Sequence, residues 1–415
     1  MDLAINGGKP VREKPFPARI MFDKEEKEAV MKLIDKGSQE ATASALDRYG
    51  EAPTEVDLYE KDFAAYFGVK FATAVSSGTA AIHSALGALM LEPGDEVITS
   101  PITDPGTIAP ILFQNCIPVF ADVNYETLNI DPRSIEERIT ERTKVVIPVH
   151  LAGQPANMGP IMDIAKKHNL IVIEDCAQAH GAKSKGKYVG TIGDISCFSL
   201  MSGKHMTSGG QGGMVITNNE KFYWNAKRFA DRGKPFNSTE EGNLFLGLNY
   251  RMTQLEAVIG RIQLKKLSVV KERRQRIADK LREGMKEFLA VKMWRFIENA
   301  EVNPWFCFLH YDEERMKVDK ETFAKALQAE GIPVGAHYIK PMYQYPWLRG
   351  KNSYGKSRCP WKCPRGRDID YKNSCPSAEK SLDDHMTLHI HECWTEEEVD
   401  DTLRAIKKVE EAYKK

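Results

Sequence analysis

The sequence predicts an α/β protein whose large domain is a mostly parallel sheet of seven strands between helices. Short apolar, β-rich runs alternate with helical patterns such as Thr79–Met90 and Met158–His168. Several runs are apolar without alternation, which is typical of strands buried on both faces. No helical pattern separates the last two runs, so we expect that part of the sheet to depart from simple strand–helix–strand order. The predicted strands are Val69–Ser76, Glu96–Ser100, Pro118–Val123, Lys144–His150, Leu170–Cys176, Ile195–Leu200 and Gly213–Thr217.

The second half of the chain predicts a smaller α+β domain. A long helical pattern over Thr253–Phe288 leads into it, and Thr395 with Glu398 forms a capping box that marks the start of the last helix. The expected division is an N-terminal arm over 1–30, a large domain over 31–265 and a small C-terminal domain over 266–415. The elements predicted for the small C-terminal domain are the strands Val302–His310 and Gly331–Tyr338 and the helices Lys320–Glu330 and Glu396–Tyr413.

Residues 343–375 are rich in Pro, Gly, Lys, Arg and aromatic residues and show no periodicity. We expect a long ordered or semi-ordered loop, and loops of this length are usually functional. The segment His337–Tyr343 and the later Arg349, Lys351 and Arg358 could meet a diphosphate or a sugar, or could form a solvated basic loop.

Charge and composition argue against nucleic-acid and membrane partners. The chain has 58 Lys and Arg against 58 Asp and Glu, whereas a phosphate-rich partner favours a basic excess. No apolar stretch is long enough for a bilayer, and the first residues lack the pattern of a signal peptide, so we expect a cytoplasmic protein. The eight cysteines are therefore expected to be thiols. Cys359 and Cys363 are not spaced like a Cys-x-x-Cys zinc site, and we predict no metal.

The segment Ser76–Ala81 follows a predicted strand and opens a helix. Its small residues let the backbone approach a phosphate, and free N–H groups at a helix start can bind it. Taken alone, the segment equally fits a tight strand-to-helix turn with an N-cap.

Asp175 lies at the end of a predicted buried strand. The carboxyl ends of parallel strands are where α/β sheets place ligand contacts. A buried carboxylate needs a cationic partner, and a pyridinium N–H would be one. A helix N-cap or a metal ligand is the other interpretation. His180, a little further on, is best interpreted as a packed structural histidine.

Lys204 follows the predicted strand Ile195–Leu200 and is flanked by small residues. Desolvation there would lower the pKa of its amine and make it nucleophilic. A lone loop lysine is usually solvated, but this one accompanies Asp175 and the Ser-Gly-Thr turn. Together these segments offer what pyridoxal phosphate (PLP) requires: an imine-forming lysine, a carboxylate for the pyridine nitrogen, and a phosphate site.

These residues resemble the DegT/DnrJ family of PLP-dependent aminotransferases, many of which act on nucleotide-linked keto sugars and some on cyclitols. The resemblance extends over about residues 5 to 415. It implies the aspartate-aminotransferase-like PLP-transferase fold, and transfer of an amino group from glutamate or glutamine to a keto sugar or keto cyclitol. The matching blocks are Ser77–Ala81, Glu174–Gly181, Ser199 with Lys204, Gly212 with Gly213, and Asn249–Met252.

The resemblance also implies a role for each matching residue. Lys204 would hold the cofactor as a Schiff base, Asp175 would pair with the pyridine nitrogen, and Gln178 would contact the phenolic oxygen. The phosphate-binding residues would be Gly78, Thr79 and Ser199. Asn249 would reach the phosphate of the neighbouring subunit's cofactor, which implies a homodimer with shared active sites.

The chain departs from the family pattern where an aromatic residue usually stacks on the PLP ring. The corresponding stretch, Thr99–Thr107, has no aromatic residue, and Asp104 or a neighbour takes that position. Because a carboxylate cannot stack, either another side chain covers the ring or that face is more open and polar.

Three other functions compete with aminotransfer as interpretations of these residues. Dehydratases of the family replace the cofactor lysine with histidine, whereas here the position is Lys204 and His205 follows it. A non-catalytic regulator would not need both Lys204 and Asp175. A nucleotide-binding dehydrogenase would need Gly-x-Gly-x-x-Gly after its first strand, which the chain lacks.

Overall fold

A computed structural model of the chain describes residues 2–36 and 53–415. Its strands, in chain order, are β1 (Phe71–Val75), β2 (Glu96–Thr99), β3 (Ile117–Phe120), β4 (Thr143–Ile147), β5 (Ile171–Asp175), β6 (Lys183–Ser184), β7 (Lys187–Tyr188), β8 (Ile195–Ser199), β9 (Gly213–Thr217), β10 (Val291–Met293), β11 (Ala300–Glu301), β12 (Cys307–Tyr311), β13 (Val334–Gly335) and β14 (His385–Leu388).

The α-helices of the described residues surround these strands. None of them combines the length and the apolar character needed to cross a membrane. They are α1 (Lys24–Asp35), α2 (Glu55–Phe67), α3 (Gly78–Ala88), α4 (Pro105–Phe113), α5 (Pro132–Arg138), α6 (Met158–His168), α7 (Glu220–Phe229), α8 (Gln254–Gly284), α9 (Lys320–Ala329), α10 (Pro346–Arg349), α11 (Pro376–Asp384) and α12 (Glu396–Tyr413).

The large sheet confirms the seven predicted strands, in the order β1-β9-β8-β5-β4-β2-β3. Five strands that are neighbours in this sheet pair in parallel, namely β3, β2, β4, β5 and β8. Strand β9 instead pairs antiparallel with both β8 and β1. The reversal lies where the sequence has no helical pattern between two strands, because parallel neighbours need a crossover that is usually a helix, whereas antiparallel neighbours do not.

Both faces of this sheet are buried, as the unalternating apolar runs predict. In β5, Ile173 packs into one hydrophobic cluster with α3 and α7, whereas Val172 packs into another with α5 and α6. In β8, Phe198 packs with Phe63 of α2 and Leu264 of α8. The sheet is therefore the middle layer of three.

The C-terminal part contains the expected smaller sheet, with the antiparallel order β10-β12-β14-β13. Helix α8 leads into it and runs continuously through the proposed boundary between residues 265 and 266, which stays a prediction. The capping box at Thr395 and Glu398 is confirmed as the start of α12. The predicted strand at 302–310 begins only at Cys307, because the N–H groups of Asn303 and Trp305 donate to loop carbonyls of the large domain.

The loop over 343–375 contains the short helix α10 and is anchored on the large sheet. The indole N–H of Trp361 donates to the Tyr371 hydroxyl at 2.8 Å, and this hydroxyl donates to the carbonyl of Pro118 in β3 at 2.6 Å. Both aromatic side chains are buried. Hydrogen bonds thus attach the loop to β3, the strand at one end of the sheet order.

The expectation that all eight cysteines are thiols is wrong for one pair. Cys359 and Cys363 form a disulfide, with their Cα atoms 5.3 Å apart. This distance is within the usual range for a disulfide, and the turn between the two residues brings it about. The other six cysteines are thiols, and five of them are buried.

Candidate active site

Three strands bring the predicted site residues to one edge of the large sheet. Asp175 is the last residue of β5 and Ser199 is the last residue of β8. Ser77, the N-cap of α3, lies two residues beyond the end of β1. A cavity of about 240 Å³ opens at this edge, where α/β sheets place their ligand sites.

The cavity brings together all but one of the predicted site residues. Asn249 is described by the structure but lies outside this lining. Its backbone pairs with Asp231, and its side-chain oxygen accepts a hydrogen bond from Nε of Arg251 at 3.0 Å. The predicted residues that do line the cavity are Gly78, Thr79, Asp175, Gln178, Ser199 and Lys204.

Helix α3 begins at the cavity. The Ser77 hydroxyl accepts the N–H of Ala80 at 3.0 Å and caps the helix. Among the described residues, the N–H groups of Gly78 and Thr79 have no hydrogen-bond acceptor. A Cβ added to Gly78 would lie 2.7 Å from the Cβ of Ser199, so the turn approaches β8 only with glycine there. These two free N–H groups and the nearby hydroxyl of Ser199 are suited to bind a phosphate.

Asp175 is held by two donors. Its Oδ1 accepts the N–H of Ala177 at 3.0 Å, and its Oδ2 accepts the hydroxyl of Thr107 at 2.8 Å. Thr107 also shares a hydrogen bond of 2.7 Å with Thr103. Burial raises the pKa of the Asp175 carboxyl above its ordinary value, while the two donors and the charge of Lys204 oppose that rise. A cationic N–H in the cavity would favour the ionised form.

The amine of Lys204 lies on the indole ring of Trp305, with Nζ 3.6 Å from the ring centre. Within the described part of the chain, this amine has no hydrogen-bond or ion-pair partner. Burial lowers the pKa of Lys204 to about 8, although Asp175 and Asp104 act in the opposite direction. A buried, unpaired amine with a lowered pKa is a nucleophile near neutral pH.

Gln178 is fixed from two sides. Its side-chain oxygen accepts the N–H of Ala152 at 2.8 Å, and its side-chain nitrogen donates to the hydroxyl of Tyr338 at 3.3 Å. Burial raises the pKa of Tyr338, so this hydroxyl stays protonated. Gln178 thus joins the cavity to a segment of the C-terminal part.

Sequence reasoning missed Trp305 and Thr107, and it placed Tyr338 only in a segment that could meet a diphosphate or a sugar. Trp305 donates its indole N–H to the carbonyl of Gly203 at 2.8 Å, although 102 positions separate the two residues. No local pattern marks a contact over such a distance. Asp104, from the stretch Thr99–Thr107 that has no aromatic residue, lines the cavity. Its carboxylate caps α4 by accepting the N–H of Gly106 at 2.7 Å.

His150, Glu174 and Cys176 form a buried cluster beneath the site, of a kind that could hold a metal ion. Glu174 already accepts the N–H groups of Gly190, Ile192 and Gly193 and lies 3.0 Å from Nε2 of His150. Because Nδ1 of His150 accepts the N–H of Ala156, Nε2 carries the proton that Glu174 accepts. These bonds use the ring nitrogens and the carboxylate to hold loops together.

The model of the DegT/DnrJ/EryC1/StrS aminotransferase family matches residues 34–407, which is most of the chain. The chain belongs to this family. As a DegT/DnrJ/EryC1/StrS aminotransferase, it is a PLP-dependent enzyme with the fold-type-I architecture that its sheet order shows.

Two relatives of this DegT/DnrJ/EryC1/StrS aminotransferase have names that refer to a sugar or a cyclitol. A GDP-perosamine synthase of Escherichia coli O157:H7 is 40% identical over 236 residues, which cover 57% of this chain and 64% of that protein. A putative L-glutamine:3-amino-2,3-dideoxy-scyllo-inosose aminotransferase of Micromonospora echinospora is 33% identical over 350 residues, covering 82% of this chain and 81% of that protein. An aminotransferase structure from Psychrobacter cryohalolentis superposes with a TM-score of 0.81 at 30% identity, covering 95% and 98% of the two chains.

The cavity fits the cofactor of the family. A buried carboxylate without a cationic hydrogen-bond donor, two free helix N–H groups and an unpaired buried amine surround one space. These are the groups that a pyridinium nitrogen, a phosphate and an aldehyde require. In this DegT/DnrJ/EryC1/StrS aminotransferase, no other lysine lines the cavity within residues 2–36 and 53–415.

Proposed function

We propose that this aminotransferase moves an amino group from glutamate or glutamine to the keto group of a sugar, which is nucleotide-linked, or of a cyclitol. The observation that carries the proposal is the single cavity shared by the Lys204 amine, the Asp175 carboxylate and the start of α3. The names of the E. coli and M. echinospora relatives support the two substrate classes and the glutamine donor.

We assign the cofactor contacts to residues of the cavity. Asp175 would hold the pyridine nitrogen and Gln178 the phenolic oxygen. The N–H groups of Gly78 and Thr79, together with the Ser199 hydroxyl, would hold the phosphate. When bound, PLP supplies an aldehyde that can take the amino group and a ring that withdraws electrons from the reacting carbon.

Lys204 would be the proton carrier. Its pKa, lowered by burial to about 8, gives a useful fraction of neutral amine near neutral pH. A neutral amine can take the α-proton of the amino donor and, once protonated, can return that proton on the keto side. The ring of Trp305 excludes water from one side of the amine, which keeps the proton from being lost to bulk solvent.

The same geometry favours aminotransfer over loss of water. Lys204 lines the cavity, whereas the next residue, His205, is buried outside it with Nε2 2.8 Å from the carbonyl of Asn303. The histidine therefore does not take the place of the lysine. Trapping the product of a keto sugar distinguishes the two reactions, because one gains an amine and the other loses a hydroxyl.

We further propose a homodimer as the working unit. Asn249 lies outside the cavity of its own chain, and its role would be to reach the cofactor phosphate of the neighbouring subunit. Sedimentation of the purified enzyme tests this, and an Asn249→Ala variant that dimerises but binds PLP more weakly is the expected result.

The central experiment replaces Lys204. Lys204→Ala should lose both the absorbance of the imine between the lysine and the cofactor and turnover of glutamate or glutamine with candidate keto substrates. Lys187→Ala, at an exposed lysine of β7, is the matched control and should keep both. Retention of this absorbance and turnover by Lys204→Ala would reject the assignment.

A further inference from the structure

A second cavity, of about 480 Å³, lies in the C-terminal part, lined by residues between 340 and 379. It shares no lining residue with the cavity around Lys204. Two residues of the segment His337–Tyr343, Lys340 and Tyr343, line it. The cofactor contacts proposed above do not involve this cavity.

Cations dominate the wall of this cavity. Lys340, Arg349, Lys351 and Lys372 line it, against the two carboxylates of Asp370 and Glu379. Lys351 is already paired with Asp368. Among the described residues, the side chains of the other three cations have no carboxylate within ion-pair distance.

The two carboxylates of the wall each accept a hydrogen bond from a neutral group and offset part of the positive charge. Glu379 accepts the hydroxyl of Tyr343 at 2.7 Å. Asp370 accepts the backbone N–H of Lys372 at 3.0 Å. With four cations against two carboxylates, the side chains that line the cavity carry a net charge of +2.

The floor of the cavity is built in advance of any ligand. Tyr371 is buried, and its hydroxyl donates to Pro118 of β3 at 2.6 Å while accepting the indole N–H of Trp361 at 2.8 Å. Tyr343 is buried as well and packs on Phe120. Lys340, Arg349 and Lys372 are all exposed, so their side chains can close on a ligand without moving this floor.

One short segment joins the two cavities. Tyr338 accepts a hydrogen bond from Gln178 of the cofactor cavity. Four residues later, the N–H of Met342 donates to the carbonyl of Pro101 at 2.8 Å, just beyond the end of β2. Lys340 lies between these two anchors and lines the second cavity. The segment that carries Lys340 therefore contacts the cofactor cavity through Tyr338 and the residues after β2 through Met342.

We propose that this cavity binds a phosphate-bearing ligand, with Arg349, Lys340 and Lys372 as its charged contacts. A guanidinium can donate two parallel hydrogen bonds to a phosphate, and the two ammonium groups add charge without demanding one geometry. The side-chain amide of Gln344 supplies a neutral donor for the remaining oxygens. The ligand is either a phosphate group carried by the keto substrate or a separate phosphorylated molecule.

The test is calorimetric titration of the PLP-loaded enzyme with pyrophosphate, since the loaded enzyme keeps its cofactor phosphate site filled. The variant K340Q/R349Q/K372Q should weaken binding at least tenfold. The control K221Q/R273Q/K407Q removes the same number of charges from exposed residues that form no ion pair with any carboxylate in 2–36 or 53–415, and it should stay within twofold of the wild type. If the triple variant does not fold, the single variant Arg349→Gln replaces it and should also weaken pyrophosphate binding. Arg349→Lys, which conserves the charge, should weaken binding less than Arg349→Gln.

Absence of pyrophosphate binding to the wild-type enzyme would overturn the proposal, and so would equal losses in the two triple variants. Turnover then separates the two sources of phosphate. If pyrophosphate raises the KM of the keto substrate in a competitive manner, the phosphate belongs to that substrate. If it binds without changing that KM, the ligand is a separate molecule. Because the titration needs no turnover, its failure is distinguishable from failure of the proposed aminotransfer.

Discussion

The amine of Lys204 rests on the ring of Trp305, and the indole N–H of the same tryptophan donates to Gly203, the residue before the lysine. One side chain from the C-terminal part thus contacts both the reactive group and the backbone that carries it. Two contacts from one residue can be separated by substitution, because phenylalanine keeps a ring but has no N–H.

We expect Trp305→Ala to raise the pKa of Lys204 from about 8 toward its ordinary value of 10.5, because water would reach the amine and remove the effect of burial. Trp305→Phe should leave the pKa near that of the wild type. The measurement is the pH dependence of the labelling of Lys204 by an amine-selective reagent in the cofactor-free protein, read by mass spectrometry. Identical titrations for the Ala variant and the wild type would contradict the expectation.

Thr107 is expected to control the charge of Asp175. Thr107→Val removes a donor to a buried carboxylate, which costs about 1.5–3 kcal/mol when the carboxylate is ionised. Weaker PLP binding should follow, measured by fluorescence quenching on titration of the cofactor-free protein. Thr107→Ser keeps the hydroxyl and should restore most of the affinity. Equal affinity of the Val and Ser variants would show that the hydroxyl has no such effect.

A pH dependence follows from Asp175 itself. Its pKa in the folded, cofactor-free protein is raised above the ordinary value of 3.8 by burial. Between those two values the folded protein holds a proton that the unfolded chain has lost, so the free energy of unfolding falls as pH rises through this window. Asp175→Asn cannot titrate. Urea unfolding from pH 4 upward should therefore show a stability advantage of the wild type over the variant that shrinks with rising pH, and parallel curves would contradict it.

Gly78→Ala should disturb the turn between β1 and α3. The added Cβ would lie 2.7 Å from the Cβ of Ser199, and overpacking of this kind costs about 1–3 kcal/mol. PLP affinity should fall as well, because the free N–H groups shift with the turn. Gly210→Ala is the matched control, since a Cβ there meets no atom within 4 Å. Unfolding curves and cofactor titration of both variants test the difference.

The parts of the molecule that could be predicted are those in which neighbouring residues decide the outcome. The seven strands follow from local apolar runs, and the start of α12 follows from a capping box that spans four residues. Most of the cavity could also be predicted, because Asp175 and Ser199 end strands whose carboxyl ends must meet at one edge.

The parts that could not be predicted depend on contacts between distant segments. Trp305 lies at the cavity because its own N–H and that of Asn303 donate to the carbonyls of Ala152 and Gly153 instead of extending β12. Thr107 reaches Asp175 across 68 positions. The disulfide between Cys359 and Cys363 depends on the turn that the loop adopts, and loop turns leave no periodic signal.

The reversed direction of β9 has a consequence for the mobility of Lys204. Because β9 runs against β8, the chain leaves β8 at Ser199 and re-enters the sheet at Gly213, and these two residues are directly paired. The N–H of Leu200 donates to the carbonyl of Gly212 at 2.7 Å and closes the neck of the excursion between them. Lys204 therefore lies in a loop whose two ends are hydrogen-bonded to each other, not in a connection that crosses the sheet. We expect the amides at both ends of this loop to exchange hydrogen at the same rate as the central strands.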